Sequence, residues 1–304
     1  MTTKPLRFGL VGTGYWARVT HAPALAAADG VEFAAVWGRD PRATADLAGA
    51  YQARPHHDIS AFLAGIDAVS FAVPPDVQAA IATRAAREGK HLLLEKPIAL
   101  TEAAADGLVE AVEQAGVASV VFFTNRFQPD VRAWLAEVEA RGGWAGGVSA
   151  WLGSALRESS PFNTPWRQDR GGLWDIGPHL VSLLWASLGP VTSVTADAGP
   201  ADVTHLILHH QGGATSTITV TLSATEAAAG VEAYVWGESG RLAAPLGTVD
   251  RLVALSTALD ELVANARAGQ TRHPCDVWFG RDVERVLAEA QRQVDARRAS
   301  QPPG

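Results

Sequence analysis

The chain has 304 residues, 47% hydrophobic and 19% charged, which is typical of an ordinary globular protein of about two domains. Its net charge of -7 gives no reason to expect nucleic acid or an anionic membrane as a partner, so a small molecule is favoured. The single cysteine, Cys275, excludes an internal disulfide and any multi-thiolate metal site. A single cysteine fits a reducing compartment and no apolar run has the length of a membrane span, so we predict a cytoplasmic protein. We predict no metal site, because the adjacent histidines His209 and His210 of a predicted strand point to opposite faces.

The first part of the chain alternates short apolar segments with segments of helical periodicity. The apolar segments, which we predict to be strands, are residues 7–12, 31–38, 67–73, 91–95 and 118–124. Continuous apolar strands separated by helices are typical of a parallel sheet that is covered on both faces. The sequence therefore predicts an α/β Rossmann domain over residues 1–124.

A glycine pattern follows the first predicted strand. In the segment "GLVGTGYWA", Gly12, Gly14 and Ala17 form a G-x-G-x-x-A motif, with Tyr15 and Trp16 inside it. The first glycine permits a tight turn, the second lets the backbone approach a pyrophosphate, and the small third residue allows close packing of the helix. Although such a pattern alone is weak evidence, its place between a strand and a helix favours dinucleotide binding over an ordinary turn.

The end of the second predicted strand bears on which dinucleotide binds. NAD-selective sites usually carry an acidic residue there, which accepts a hydrogen bond from the ribose 2′-hydroxyl. In "AAVWGRDP" that position is Gly38, and Arg39 follows it, so a 2′-phosphate would meet an arginine and no carboxylate. This favours NADP(H). NAD(H) is the alternative, because a shift of one residue in the strand end would make Asp40 available as the acidic partner of the ribose 2′-hydroxyl.

Lysine is rare in this chain, which has only Lys4, Lys90 and Lys96 against 22 arginines. Lys96 ends the apolar run "HLLLEK", where a charge is costly to bury. It follows a strand at the carboxyl edge of the predicted sheet, where open α/β folds bind their ligands. Lysine can exchange a proton in a protein whereas arginine cannot, which favours a catalytic role. An exposed lysine at a strand end is the alternative.

From residue 147 the pattern changes to strands joined by short turns. The predicted strands are residues 147–156, 191–198, 202–211, 213–224 and 231–239. Several alternate apolar with polar residues, so we predict an α+β domain over residues 125–304 with a large, mostly antiparallel open sheet. Helices are predicted at residues 173–187, 249–268 and 276–298, and the last is a candidate to pack on the first domain. The tail "SQPPG" is expected to fray.

A second candidate group lies in "RGGLWDIGPHLVSLLW". Asp175 and His179 are four residues apart, which places them on one face of the predicted helix 173–187. A carboxylate one turn from an imidazole can fix its tautomer and stabilise its charged form, as a general acid or base requires. A surface pair without catalytic function is the alternative. Pro178 is tolerated only in the first turn, so the pair is expected near the start of the helix.

"EKP" at Glu95 to Pro97, followed about 75 residues later by "GGLWDIGPH", resembles the Gfo/Idh/MocA family of glucose-fructose oxidoreductases and inositol dehydrogenases. The resemblance implies that Lys96 hydrogen-bonds the reacting oxygen, that His179 is the acid or base, and that Asp175 orients it. Which of Lys96 and His179 accepts the proton stays open. Residues implied to line the cofactor site are Val73, Pro74 and Pro75, Glu95 beside Lys96, Asn125 in "NRF", and the pair Trp166 and Arg167, although core packing is an equal alternative for Trp166.

Two departures from the family pattern concern the substrate more than the chemistry. Arg170 stands where the family usually has the first of three glycines, and Ser182 replaces an aspartate that is common after the histidine. The leading hypothesis is an NAD(P)(H)-dependent dehydrogenase or reductase that acts on CH–OH groups of a sugar-, cyclitol- or polyol-like substrate. The alternatives are a non-catalytic nucleotide-binding regulatory protein and an NAD-dependent redox-assisted glycosidase. The resemblance also implies a homodimer or homotetramer formed through the C-terminal sheet.

Overall fold

A computed structural model describes residues 4–247 and 249–300. The first part of the chain contains six strands, β1 to β6, which are Leu6–Val11, Val31–Trp37, Arg54–His56, Ala68–Phe71, His91–Leu94 and Ser119–Val121. Its helices, α1 to α5, are Ala22–Ala27, Pro41–Ala50, Ile59–Ala64, Pro75–Arg87 and Glu102–Ala115. A π-helical turn over Ala17–His21 leads directly into α1, and a short 3-10 helix spans Thr124–Phe127.

The second part begins with α6 (Pro129–Arg141) and β7 (Trp144–Leu152). The helices α7 (Pro165–Asp175) and α8 (Gly177–Leu188) follow. The strands β8 to β12 are Val191–Ala198, Thr204–His210, Thr215–Thr221, Gly230–Gly237 and Gly240–Ala243. Two helices complete the chain, α9 over Arg251–Ala268 and α10 over Val277–Ser300. The predicted fraying of "SQPPG" concerns mainly residues 301–304, which lie outside the described residues.

The first sheet is parallel throughout, with the strand order β3-β2-β1-β4-β5-β6. This is the doubly wound arrangement of a dinucleotide-binding fold, in which the strand order reverses between β1 and β4. The predicted Rossmann domain is therefore confirmed as a fold. The prediction missed β3, a three-residue edge strand that contains Pro55, because proline in a strand interior normally argues against a strand.

The second sheet has the order β12-β11-β7-β10-β9-β8, and only the pair of β7 and β10 is parallel. The predicted mostly antiparallel sheet is confirmed. In β9, residues alternate strictly between buried and exposed. Leu206 and Leu208 point to the face on which α7 and α8 pack, whereas Ile207 is 43% exposed on the opposite face. That second face also carries Trp236, which is 46% exposed.

The chain divides into two compact units, Met1–Phe127 with Asp250–Arg281 and Gln128–Val249 with Asp282–Gly304. This differs from the predicted division at residue 124, because α9 groups with the first unit. Its buried residues Leu255, Leu259 and Leu262 form an apolar stripe, and α9 contacts β5 and β6. Of the predicted helix over residues 276–298, the residues up to Arg281 belong to the first unit and those from Asp282 onward to the second, so its packing on the first domain stays a prediction.

Candidate functional site

The glycine loop joins β1 to the helix that begins with the π-helical turn. Gly12 has a φ of 126°, and a Cβ atom there would lie 2.4 Å from the carbonyl oxygen of Ala72. Gly12 is thus required both by its conformation and by the close approach of the chain after β4. A Cβ atom on the exposed Gly14 would meet nothing within 4 Å. The loop therefore leaves open space where a pyrophosphate would approach the start of the helix, which fits a dinucleotide.

The segment after β4 lies beside this loop, because β1 and β4 are neighbours at the point where the strand order reverses. A Cβ atom on Gly12 would come within 3.2 Å of the side chain of Val73. Pro74 precedes α4, and Pro75 opens it. Ligands bind at the carboxyl ends of strands at such a switch point. The structure thus brings together Gly12 and Val73, two of the residues that the sequence assigned to the cofactor.

Lys96 follows β5 at the same edge of the sheet and is half-buried. On its amino-terminal side, the Glu95 carboxylate accepts a hydrogen bond of 2.6 Å from the indole nitrogen of Trp16. Asn125, in the 3-10 helix after β6, is buried in the same unit. The cofactor and proton-transfer residues predicted for the first domain therefore all lie in the first unit, at or after the carboxyl ends of its strands or at the start of its first helix.

The turn after β2 contains the residues that bear on cofactor choice. β2 ends at Trp37, so Gly38 is the first residue beyond the strand, as the sequence suggested. Gly38 is buried, and a Cβ atom there would lie 2.7 Å from both the Thr13 and Thr44 side chains. Asp40 caps α2, since its carboxylate accepts hydrogen bonds from the backbone N–H groups of Arg42 and Ala43 at 2.9 and 3.2 Å. Arg39 is exposed.

In the second unit, Arg167 contacts Asp175. Its Nε donates a hydrogen bond of 2.9 Å to the Asp175 carboxylate, and both side chains are largely buried, with 17% and 9% exposed. The Arg167 guanidinium also lies over the ring of Trp166, 4.5 Å from the ring centroid. The sequence assigned Trp166 and Arg167 to the cofactor and did not anticipate the ion pair. The pair balances the charge of a carboxylate that is removed from water.

The single helix predicted for residues 173–187 is wrong. Asp175 ends α7, and His179 lies in the first turn of α8, with Ile176 between the two helices. Pro178 is in that first turn, where its missing N–H costs nothing. The imidazole of His179 is buried and lies 5.5 Å, centroid to centroid, from the ring of Trp151 in β7. Trp151 was missed because its position in a predicted strand showed no relation to His179.

The break in α7 is held by a residue distant in sequence. Gly171 has a φ of 63° and is followed by Gly172, whose N–H donates to the Asp202 carboxylate at 3.0 Å. The same carboxylate accepts 2.6 Å hydrogen bonds from the Thr221 hydroxyl and the Leu222 N–H. Burial acts to raise the pKa of Asp202, but the hydrogen bonds outweigh burial, and its pKa lies below the ordinary value. Asp202 thus ties the segment preceding Asp175 to the end of β10.

We expect Asp202→Asn to destabilise the protein by about 2 kcal/mol, because an amide nitrogen would face donors that now meet a carboxylate. Because the folded-state pKa of Asp202 is depressed, its contribution is present above the unfolded-state pKa of about 4 and is lost as the pH falls through the folded-state value. The difference between the two proteins in urea-induced unfolding should therefore shrink in acid. Asp197→Asn is the matched control, since its 3.2 Å ion pair with Arg297 is exposed. An equal effect of both variants at neutral pH would contradict the assignment.

A cavity of about 310 Å³ lies next to this break, with Arg170, Asp202 and Gln291 in its lining. Neither Asp175 nor His179 lines it. Within residues 4–247 and 249–300, no group of three or more His, Cys, Asp and Glu side chains has an arrangement that could hold a metal ion. Among the described helices, none combines the length and the apolar character that a bilayer span requires.

Comparison with known proteins gives relatives that are named as dehydrogenases. D-Apiose dehydrogenase of Paraburkholderia graminis is 28% identical over 239 residues, which are 74% of this chain and 63% of that protein. Inositol 2-dehydrogenase of Rhizobium meliloti is 35% identical over 130 residues, 42% of this chain and 39% of that protein. The chain thus matches less than two thirds of the length of these relatives.

Solved structures match over nearly the whole chain. An oxidoreductase domain protein from Kribbella flavida has a TM-score of 0.86 at 22% identity, covering 97% of this chain and 98% of that one. GenD2 from gentamicin A biosynthesis, in complex with NAD, has a TM-score of 0.84 at 22% identity, covering 97% and 95%. At this level of identity the likeness shows the fold.

Two family models together account for most of the chain. Residues 6–123 match the model of an oxidoreductase family with an NAD-binding Rossmann fold, and residues 138–243 match the model of the Gfo/Idh/MocA C-terminal domain. The family resemblance that "EKP" and "GGLWDIGPH" suggested is confirmed. The chain belongs to the Gfo/Idh/MocA family of oxidoreductases.

Proposed function

We propose that the protein transfers a hydride between a pyridine dinucleotide and a secondary alcohol or ketone of a sugar-, cyclitol- or polyol-like substrate. The observation that carries the proposal is the open space at Gly14, beside the loop after β4 and at the sheet edge where Lys96 follows β5. The names of the relatives, D-apiose dehydrogenase and inositol 2-dehydrogenase, support the substrate class. The family membership supports the reaction type.

In this proposal, different residues of the chain bind the substrate oxygen, transfer its proton and orient the proton-transfer group. The nicotinamide, when bound, supplies or accepts the hydride. The Lys96 ammonium holds the reacting oxygen of the substrate, and the His179 imidazole takes the proton from that oxygen or returns it. Asp175, whose carboxylate forms an ion pair with Arg167, is proposed to orient His179. Whether Lys96 also exchanges the proton stays a prediction.

The cofactor is proposed to be NADP(H) in preference to NAD(H). Two features support this preference: Gly38 has no room for a side chain, and Arg39 is exposed beside it. A 2′-phosphate would thus meet a guanidinium, and a 2′-hydroxyl would find no carboxylate at the position directly after β2. Only Oδ1 of Asp40 takes part in capping α2, so Asp40 is the residue that would serve a 2′-hydroxyl in the alternative. The similar GenD2 structure contains NAD, so NAD(H) preference is the opposing outcome.

We expect fluorescence titration of the purified protein to show NADPH binding about tenfold or more tightly than NADH, the effect of one charge-assisted contact. Arg39→Ala should remove most of that difference by weakening NADPH binding alone. Arg54→Ala is the control, because Arg54 is an exposed arginine at the amino-terminal end of the neighbouring strand β3. Equal or tighter binding of NADH by the unmodified protein would contradict the NADP(H) preference. Failure to bind either dinucleotide would contradict the proposed function itself.

The exposed face of the second sheet supports the proposal that two or four copies associate through it. Ile207 and Trp236 are both more than two fifths exposed on that face, and large apolar side chains exposed to solvent are common where copies of a chain associate. A sedimentation experiment that found only monomer at micromolar concentration would contradict this. The cytoplasmic location stays a prediction that rests on the single cysteine.

A further inference from the structure

The helix after the glycine loop begins with a π-helical turn, and this turn aligns two side chains that an α-helix would separate. Trp16 and His21 are five residues apart. In an α-helix five residues rotate a side chain through about 500°, which would leave the two about 140° apart. The wider π-helical turn brings residues five apart to the same side, and such turns are frequent at functional sites. Here both rings reach one atom, Oε1 of Glu95.

The contacts to Glu95 are short. The indole N–H of Trp16 donates at 2.6 Å, and Nε2 of His21 lies at 3.0 Å from the same oxygen. His21 is fully buried, and its Nδ1 lies 2.7 Å from the hydroxyl of Ser70 in β4. Both ring nitrogens of His21 therefore have hydrogen-bond partners, Nε2 in Glu95 and Nδ1 in Ser70. The carboxylate is therefore held by the helix, and the helix by β4.

The backbone on both sides of Lys96 is held by one further side chain. The fully buried Gln78 of α4 accepts a hydrogen bond from the N–H of Glu95 at 2.8 Å. Its amide nitrogen donates to the carbonyl oxygens of Glu95 at 2.7 Å and Pro97 at 3.2 Å. Lys96 thus lies between two residues whose main-chain groups are bound to the same amide.

We propose that Trp16, His21, Gln78 and Glu95 form a positioning cluster that sets the location of the Lys96 ammonium relative to the glycine loop. This rests on the proposed function, in which Lys96 holds the reacting oxygen. The sequence assigned Trp16 and Glu95 to cofactor binding. The two side chains also contact each other, and the helix that would receive the pyrophosphate is bound through them to the residue preceding Lys96.

The scarcity of lysine allows a test that needs no substrate. Trace acetylation followed by peptide mass spectrometry measures the reaction rate of Lys96 relative to Lys90, whose ammonium donates to the carbonyl of Ile66 at 2.9 Å in the same unit. Trp16→Phe retains the ring and removes the donor without changing a charge. We expect it to raise the relative rate of Lys96 by about threefold or more, because the end of β5 loses a restraint.

The other variants separate positioning from general damage. Glu95→Ala removes the acceptor of both rings and should raise the relative rate at least as much as Trp16→Phe does. Glu95→Gln keeps an acceptor oxygen, so its acetylation rate of Lys96 relative to Lys90 should be closer to that of the unmodified protein. Trp144→Phe is the matched control, since it also removes one indole donor, to the carbonyl of Val138 at 2.7 Å in the second unit. It should leave the ratio unchanged.

Titration with NADPH distinguishes the cluster from a cofactor contact. Unchanged relative acetylation of Lys96 in both Trp16→Phe and Glu95→Ala would overturn the proposal, as would an equal rise in Trp144→Phe. Weaker NADPH binding without a change at Lys96 would overturn it in favour of the cofactor role. Because acetylation requires no turnover, absence of dehydrogenase activity would count against the proposed function alone.

Discussion

Lys96→Ala is expected to lower kcat by about 100-fold or more, while the dissociation constant for NADPH changes by less than about threefold. The ammonium is proposed to contact the reacting oxygen of the substrate, so its loss removes a charge-assisted hydrogen bond during the chemical step. The glycine loop, which supplies the proposed pyrophosphate contacts, precedes Lys96 by about 80 residues and is not altered. Steady-state kinetics on the best substrate from a panel of cyclitols and aldoses, with fluorescence titration of NADPH, measures both quantities.

Two further variants make this test specific. Lys90→Ala removes the other lysine that is engaged in the first unit, where it donates to a backbone carbonyl, and should retain kcat. Lys96→Arg keeps a positive charge that cannot give up its proton. If Lys96→Arg retains most of kcat, Lys96 holds the oxygen without exchanging a proton. If Lys96→Ala keeps more than a tenth of kcat, the assignment of Lys96 is wrong.

His179→Gln should also lower kcat by about 100-fold or more, with little change in NADPH binding, because glutamine can hydrogen-bond but cannot carry the proton. The buried imidazole lies beside Trp151, and His179 lies in the first turn of α8, shortly after Asp175 ends α7. The glutamine side chain is nearly as long as that of histidine, so a large loss of kcat would reflect the loss of proton transfer more than a change in packing. Steady-state kinetics of His179→Gln and of the unmodified protein over a range of pH measures both kcat and its pH dependence.

His57→Gln is the control for His179, since His57 is exposed in the turn after β3. It should match the unmodified protein in kcat and in the shape of the pH profile. Full activity of His179→Gln would exclude the imidazole as the acid or base. If both Lys96→Ala and His179→Gln were fully active, the proposed chemistry would have to be abandoned.

For the candidate site residues, the sequence predicted the local backbone structure where the signal is short-range. The G-x-G-x-x-A loop depends on backbone conformation at single positions, and Gly12 shows both the positive φ and the close contact that the motif implies. The position of Lys96 followed from an apolar run that the alternation of apolar and helical segments predicted to be a strand, and β5 ends two residues before it. Both signals lie within a few residues of the chain, so no knowledge of distant contacts was needed.

Long-range contacts account for what the sequence did not predict. The helix expected over residues 173–187 is interrupted at Ile176, between α7 and α8. The kink at Gly171 inside α7 is likewise a long-range feature, since the N–H of the next residue, Gly172, donates to Asp202, about 30 residues away. The cluster on Glu95 depends on a π-helical turn, and a periodicity of 3.6 residues does not reveal such a turn. The strand β12, four residues long, and the helix α6 were also missed.

The grouping of Asp250–Arg281 with the first unit has a consequence for the order in which the chain can fold during synthesis. The ribosome releases residues 1–127 first, yet α9, which contacts β5 and β6, is made only after the whole second sheet. Until then the apolar surface that Leu255, Leu259 and Leu262 will cover stays open to water or to other chains. The nascent Rossmann unit therefore depends on its last helix to become complete, and a fragment ending at residue 127 would retain that exposed surface permanently.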